Sequence, residues 1–328
     1  MTSEADPKLT HATIVDSSRV IIQRGSKSFA AASILFDEET RENAYMLYAW
    51  CRHCDDRIDN QELGFNSQPQ SADITQSILE ELRTQTQAAI DDQPSADPIF
   101  EGLRYVLKRN EIPGRYPLEL LEGFAMDATA HEYRNLADTL QYCYYVAGVV
   151  GVMMAYVMGT REPSALHRAT DLGIAFQLTN IARDVREDAE VGRIYLPGDW
   201  LTEAGIPADQ IIEPQHASAL AGVVERLLTE ADRYYASANE GLRALSFRSA
   251  WAVAAARGVY RAIGDAVKAR GASAWEERVI VDDTRKVMGI VEGMLDAARA
   301  SILDRHVLPA PRDADLWTAS EFPTQSRG

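Results

Sequence analysis

The 328-residue chain is poor in cysteine, with only Cys51, Cys54 and Cys143. Three thiols cannot build a disulfide framework and suit a reducing compartment. Basic charge is also short: 33 Lys and Arg face 49 Asp and Glu, a formal net charge of −16. That balance argues against nucleic acid as a main partner, because affinity there comes from neutralising phosphates. It leaves room for a local basic pocket around a small phosphorylated ligand. No basic stretch followed by an apolar one opens the chain, so no secretory signal is expected and a cytoplasmic location is. No Gly-rich nucleotide loop occurs, and NADPH is not expected as a cofactor. The six histidines show no metal-ligand spacing. Cys51 and Cys54 have C-x-x-C spacing, but no second pair or strand–helix context accompanies them, so they read as core thiols.

Proline is missing from Lys8 to Gln68 and again from Gln215 to Leu308. Strand-like alternation is scarce too. Long runs without the main helix breaker predict an all-α protein. Polar or Pro/Gly-rich segments at 60–73, 93–98, 112–117 and 192–214 read as connections. The expected organisation is an N-terminal arm (1–16), one helical domain (17–308) and a mobile tail (309–328) in which Trp317 could dock. One segment, Thr139–Thr160, carries no charge over 22 residues. It is long enough to span a bilayer. Its tyrosines, Gln141 and the lack of a second such segment favour a helix buried on all sides. Small residues along it (Ala147, Gly148, Gly151, Ala155) allow very close packing.

Two acidic clusters carry the chemical information. On a helix over 44–59, Tyr45, Tyr48, Arg52, Asp55 and Asp59 fall within an arc of roughly 80°. Asp56 lies at its edge. On a helix over 171–188, Gln177, Asn180, Asp184 and Asp188 share one face, with Glu187 at the margin. The clusters stand about 129 residues apart. A solvated face is the plain alternative for one acidic run. Here both faces continue into uncharged polar groups, and apolar residues surround them, which points to burial. Carboxylates a turn apart destabilise a helix unless a cation compensates. Mg²⁺ suits such a site, since it takes few carboxylates and completes its shell with phosphate oxygens and water. Two facing clusters could hold several ions around a diphosphate. Ser26-Lys27-Ser28-Phe29 could bind phosphate or cap a helix.

Five blocks then resemble the squalene and phytoene synthase family of head-to-head prenyltransferases. They are SKSF (26–29), MLYAWCRHCDDRID (46–59), EGFAMD (122–127), YCYYVAGVVG (142–151) and FQLTNIARDVREDAEVGRIYLP (176–197). Within the family they look closest to bacterial phytoene synthases of carotenoid pathways. The resemblance implies an isoprenoid synthase fold around a central cavity. It implies Mg²⁺ (or Mn²⁺) on Asp55, Asp59, Asn180, Asp184 and Asp188. Arg52 and Tyr48 match the family's diphosphate-side pair. Ser26, Ser28 and Phe29 match a motif closing over the site, and Tyr142, Val146, Ala147 and Gly151 match the tunnel helix. Gln177, Arg193, Tyr260 and Arg278 match further substrate-side positions.

The implied activity joins two geranylgeranyl diphosphates, through prephytoene diphosphate, into phytoene. Peripheral association with the inner face of the membrane, and a downstream phytoene desaturase as partner, follow from so insoluble a product. The resemblance leaves a farnesyl-using dehydrosqualene or squalene synthase, and a non-catalytic assembly factor, as alternatives.

Overall fold

The computed structural model describes residues 9–61, 63, 71–129, 131–304 and 307–319, apart from the side chains of Lys27, Ser28 and Asp283. The expectations for the Ser28 side chain and for most of the 60–73 loop therefore lie outside the described residues. Every regular element among those described is helical. In chain order they are α1 (His11–Gly25), α2 (Lys27–Ser33), α3 (Glu38–Asp59), α4 (Ala72–Ile90), α5 (Pro98–Asn110), α6 (Arg115–Ala128), α7 (Leu136–Cys143), α8 (Val149–Val157), α9 (Pro163–Arg183), α10 (Val185–Glu190), α11 (Gly198–Glu203), α12 (Ala217–Asn239), α13 (Phe247–Arg270) and α14 (Asp283–Ala298).

The helix that carries the first cluster is well specified at both ends. The side chain of Asp37 accepts from Thr40 N at 3.0 Å, and Glu38 and Glu39 fill the first turn. Carboxylates there satisfy orphan amides and complement the helix dipole. Asn60 ends α3 in the left-handed region at φ 47°, where Asn is better tolerated than most residues. Between these caps Met46, Leu47, Trp50, Cys54 and Ile58 face the core, each at most 3% exposed. Core positions along one side leave the other side of α3 for polar work.

The apolar stretch Leu136–Val157 is long and apolar enough to cross a membrane, with mean hydropathy 1.4. Of its most apolar 18-residue window, 56% is buried inside the fold. It is α7 and α8 joined by a wider π-type turn, Tyr144–Gly148. The expectation of a helix buried on all sides therefore needs correcting, because part of its surface faces a cavity. Its small residues serve another contact. A Cβ on Gly151 would lie 2.3 Å from Ala169 O, and one on Gly173 would lie 2.2 Å from Ala147 O. Helices α8 and α9 thus meet backbone to backbone, which only glycine permits.

Three boundaries differ from the sequence reading. The arm expected over 1–16 is helical from His11, and Ile14 and Val15 are buried. The described part of the expected mobile tail, 309–319, is anchored instead. Leu316 is buried, Trp317 N donates to Tyr234 Oη, and Arg312 forks onto Asp171. The connection at 192–214 contains α11. Its Gly198 and Asp199 amides bond the carbonyls of Tyr133 and Arg134 at 2.8 and 2.9 Å.

Candidate active site

Helix α3 brings Tyr48, Arg52, Asp55 and Asp59 to one side of a cavity of about 830 Å³. Helix α9 brings Gln177, Asn180 and Asp184 to the same cavity, and α10 adds Asp188. Ser26, Phe29, Tyr142, Val146, Ala147, Gly151, Arg193, Tyr260 and Arg278 line it as well. Tyr45, placed on the same face by the periodicity, is buried and is not part of the lining. The second cluster does not ride on one helix as the spacing suggested. The chain breaks at Asp184 (φ −102°, ψ 19°) before α10 begins. Asp184 is the point where the helix stops, and two guanidinium groups fork onto its carboxylate there.

Those contacts come from Arg183, whose Nε donates to Oδ1 at 2.7 Å, and from Arg278, whose Nε and a terminal nitrogen donate at 3.0 Å each. Burial acts to raise the Asp184 carboxyl, but Arg183 and Arg278 outweigh it and hold it below the usual carboxylate range. Asp59 is clasped by Arg193, with one contact at 3.0 Å. Asp55 accepts from Arg52 at 2.6 Å and from Gln61 at 3.2 Å. Even so, burial, with Asp59 and Asp56 alongside, pushes Asp55 up to about 7. Burial and the neighbouring Asp184 push Asp188 well above its ordinary value. Burial is the larger cause in both, and the neighbouring carboxylates add to it. Three buried polar atoms, Asn180 Oδ1, Arg52 Nε and Tyr48 Oη, have no hydrogen-bond partner. Leaving such atoms unsatisfied costs free energy, so each is a point at which a ligand would be gained.

The remaining wall is aromatic and apolar. Tyr142 stacks on Tyr195 at 4.6 Å, and Phe176 stacks on Tyr260 at 4.1 Å. Ser26 caps α2 by accepting from Phe29 N, and the Phe29 ring lies 5.7 Å from that of Tyr48. A Cβ on Gly25 would meet Tyr48 Oη at 2.6 Å, so glycine lets the N-terminal loop close onto that hydroxyl. Cys54 and Cys143 are buried, and Cys51, pushed up to about 12 by burial, stays an unreactive thiol at the cavity wall.

Sequence reasoning assigned no role to Arg183 or Asp127. Asp127 accepts from both Tyr142 Oη (3.0 Å) and Tyr195 Oη (2.8 Å), and burial raises it to about 6. It closes the EGFAMD block that carried part of the resemblance. Arg183 precedes Asp184 directly, and a cation beside a buried carboxylate was a readable signal.

The comparisons with known proteins agree with this geometry. The family model described as squalene/phytoene synthase matches residues 22–285. The chain is 47% identical over 293 residues to a 15-cis-phytoene synthase of Enterobacter agglomerans, covering 89% of this chain and 98% of that one. It is 46% identical to a phytoene synthase of Pseudescherichia vulneris, covering 95% and 97%. Among solved structures, a dehydrosqualene synthase crystallised with a ligand superposes with TM-score 0.78 at 29% identity, covering 86% of this chain and 96% of that one. The squalene synthase HpnC from Alicyclobacillus acidocaldarius shares the fold, with TM-score 0.71 at 20% identity over 80% and 95%. The matched span contains all five blocks and both carboxylate clusters, and this chain belongs to the squalene/phytoene synthase family.

Proposed function

We propose that this chain is a phytoene synthase. It joins two geranylgeranyl diphosphates head to head, through prephytoene diphosphate, and releases both diphosphates. The observation that carries this reading is the polarity of one cavity along one helix. Helix α9 lines it from Ala165 to Asp184, about 28 Å at the rise of an α-helix. The carboxylates and most of the arginines gather at the Asp184 end, and Leu172, Gly173 and Phe176 continue it as an apolar channel. Such a site suits a long hydrocarbon with a diphosphate at one end. Near-full-length relatives that carry the phytoene synthase name support the twenty-carbon chain.

Residues at the charged end also fit divalent ions, Mg²⁺ or Mn²⁺. Asn180 Oδ1 is buried without a partner, and Asp55 and Asp188, raised by burial and by neighbouring carboxylates, would ionise more readily beside a cation. Asp55, Asp59, Asn180, Asp184 and Asp188 would hold the ions. When bound, they supply Lewis-acid stabilisation of the leaving diphosphates.

The protein's own groups do the rest. Arg52, Arg193 and Arg278 offer charge-assisted donors to diphosphate oxygens. Burial raises Tyr48, so its hydroxyl stays protonated and donates. Loss of diphosphate leaves an allylic cation, which alkylates the C2–C3 double bond of the second substrate. The faces of Phe176 and Tyr260 can stabilise positive charge, and the apolar wall keeps water from quenching it. Proton loss closes a cyclopropane. The second diphosphate then departs, the cation rearranges, and another proton is lost. Released diphosphate, held by the arginines, is the base at hand.

The same reading includes delivery of an insoluble product to a membrane. Helix α14 turns an uncharged, exposed arc outward through Val287, Met288, Val291, Met294 and Leu295. The adjoining Ile280 is 78% exposed and also lines the cavity. An amphipathic helix of this kind lies in a lipid interface. Protein that stays at the bottom of the gradient in liposome flotation removes this part of the reading.

Product analysis tests the activity. Purified protein is incubated with Mg²⁺, detergent and either geranylgeranyl or farnesyl diphosphate, without NADPH. A forty-carbon phytoene from the first substrate supports the reading. A thirty-carbon product from the second alone moves the enzyme to dehydrosqualene synthesis. No product from either favours a non-catalytic role.

A further inference from the structure

At the far end of the cavity from Asp184 one charged side chain stands in the wall. It is Arg168, on α9, 8% exposed and about 24 Å from Asp184 along the helix. Its guanidinium does not serve the diphosphate end. It donates to Ser237 Oγ at 2.6 Å and to Ala310 O at 2.5 Å. Ser237 in turn donates to Asp171, which is 0% exposed. Arg312, from the C-terminal segment, forks onto the same carboxylate at 2.9 and 2.7 Å. Arg312 also bonds Trp317 O at 2.8 Å, and Ala310 N donates to Glu240 at 3.0 Å. The chain at Ala310 is thus gripped through both its amide and its carbonyl, directly behind the cavity wall.

The inner side of the same wall is tight. A Cβ on Gly241 would meet Arg168 Cβ at 2.6 Å, so the turn at 240–244 closes directly onto the Arg168 stem. Gly241 and Leu242 line the cavity there. Arg168 and Gly241 thus stand in contact in the cavity wall.

We propose that the C-terminal segment is the brace of this end wall, with Arg312 as a positioning residue that tunes substrate length from outside the cavity. The inference rests on the prenyl diphosphate reading above. Its logic is electrostatic. A buried carboxylate that loses its partner is strongly unfavourable. Without Arg312, the cation left to answer Asp171 is Arg168. Turning to Asp171, Arg168 gives up Ala310 O, and its stem moves off Gly241. A twenty-carbon chain, one five-carbon unit longer than a fifteen-carbon chain, reaches this wall first.

The test compares kcat/KM for geranylgeranyl and farnesyl diphosphates in the wild type, Arg312→Ala and Arg312→Lys, with Tm recorded for each. Arg312→Ala is expected to lose at least about tenfold more kcat/KM on the longer substrate than on the shorter, chiefly in KM. Arg312→Lys, which keeps the charge but not the fork, is expected to fall between. A merely structural role would lower both substrates in parallel, and parallel loss or no loss overturns the proposal. If Arg312→Ala fails to fold, Arg312→Lys and Gly241→Ala decide. Both then need to shift the ratio toward the shorter substrate, and an unchanged ratio overturns the proposal. A wild type that turns over neither substrate defeats the functional reading itself, which separates that failure from this one.

Discussion

Asp55 and Asp59 sit on one unbroken helix, whereas Asp184 and Asp188 straddle the break between α9 and α10. In sequence the two pairs look alike, two carboxylates one turn apart. In the structure their electrostatics diverge. Asp184 is gripped by Arg183 and Arg278 and held below its ordinary value. Asp55, although bonded to Arg52, is raised to about 7. Asp188 is raised as well. Each pair thus combines one carboxylate clasped by an arginine from outside its own helix, Asp59 by Arg193 and Asp184 by Arg278, with one that burial and its neighbours raise. A like-charged cluster persists in a fold only when something compensates it. Arginines do half of that work here, and a bound cation is suited to the other half.

The largest effect expected from breaking this balance is metal removal. Chelation should abolish turnover, and Mg²⁺ or Mn²⁺ should restore it. Full activity after exhaustive chelation would refute the ligand assignment. Because Asp55 must lose its proton to bind an ion, apparent metal affinity should rise with pH through about 7.

Next in size, Asp55→Asn or Asp184→Asn should each lower turnover about 100-fold or more, in line with removing a group that stabilises developing charge. Circular dichroism should show the helical fold intact. Near-normal activity in either variant counts against its role.

The same two substitutions should then separate in stability, in opposite directions. Asp184 contributes stability as an ion. Its carboxyl is lowered, so that contribution is present above the unfolded value near 3.8 and is lost as pH falls below it. Asp184→Asn leaves the Arg183 guanidinium without its carboxylate and should cost about 1–3 kcal/mol at pH 8. Asp55 is raised, so its ionised form is a burden once pH passes about 7. Asp55→Asn should raise the unfolding midpoint of the metal-free protein at pH 8. Shifts of the same sign in urea titrations would erase the contrast between the two helices.

Most of this arrangement could be read from the sequence, for a physical reason. Helix periodicity is a local property, and the face that holds Tyr48, Arg52, Asp55 and Asp59 follows from 3.6 residues per turn. The same rule misplaced Tyr45 and missed the break at Asp184, a residue whose carboxylate is held by Arg278 from far along the chain. The apolar segment at 139–160, which its tyrosines and Gln141 marked as a packed helix, has just over half of its most apolar window buried in the fold, and its small residues give the close packing expected of them. Which of its sides faces a cavity depends on α9, and no local pattern reports that. The C-terminal segment has loop composition, and it is anchored by long-range contacts that no local pattern reports, among them the Arg312 fork onto Asp171 and the Trp317 amide on Tyr234. Asp127 was legible as part of a block. Its place between Tyr142 and Tyr195 needed three elements to converge.

Asp127 offers the finest test, because its charge bears on both raised carboxylates, Asp55 and Asp188. Burial raises Asp127 to about 6, against the pull of Arg193 and the two tyrosine hydroxyls. It therefore binds its proton more tightly folded than unfolded. Stability is full below about 4 and declines as pH rises toward 6, where the folded carboxyl must ionise. Above that range the ionised group costs about 2 kcal/mol, allowing for its partial exposure. Asp127→Asn should match the wild type near pH 4 and exceed it in urea midpoint above pH 7. Removing the charge also makes Asp55 and Asp188 easier to ionise, so half-saturation by Mg²⁺ should move to slightly lower pH. A stability difference that stays flat from pH 4 to 8, with no movement in the metal titration, would show that Asp127 is insulated from the two pairs. The raised carboxyl of each pair would then be set by burial and its own neighbours alone.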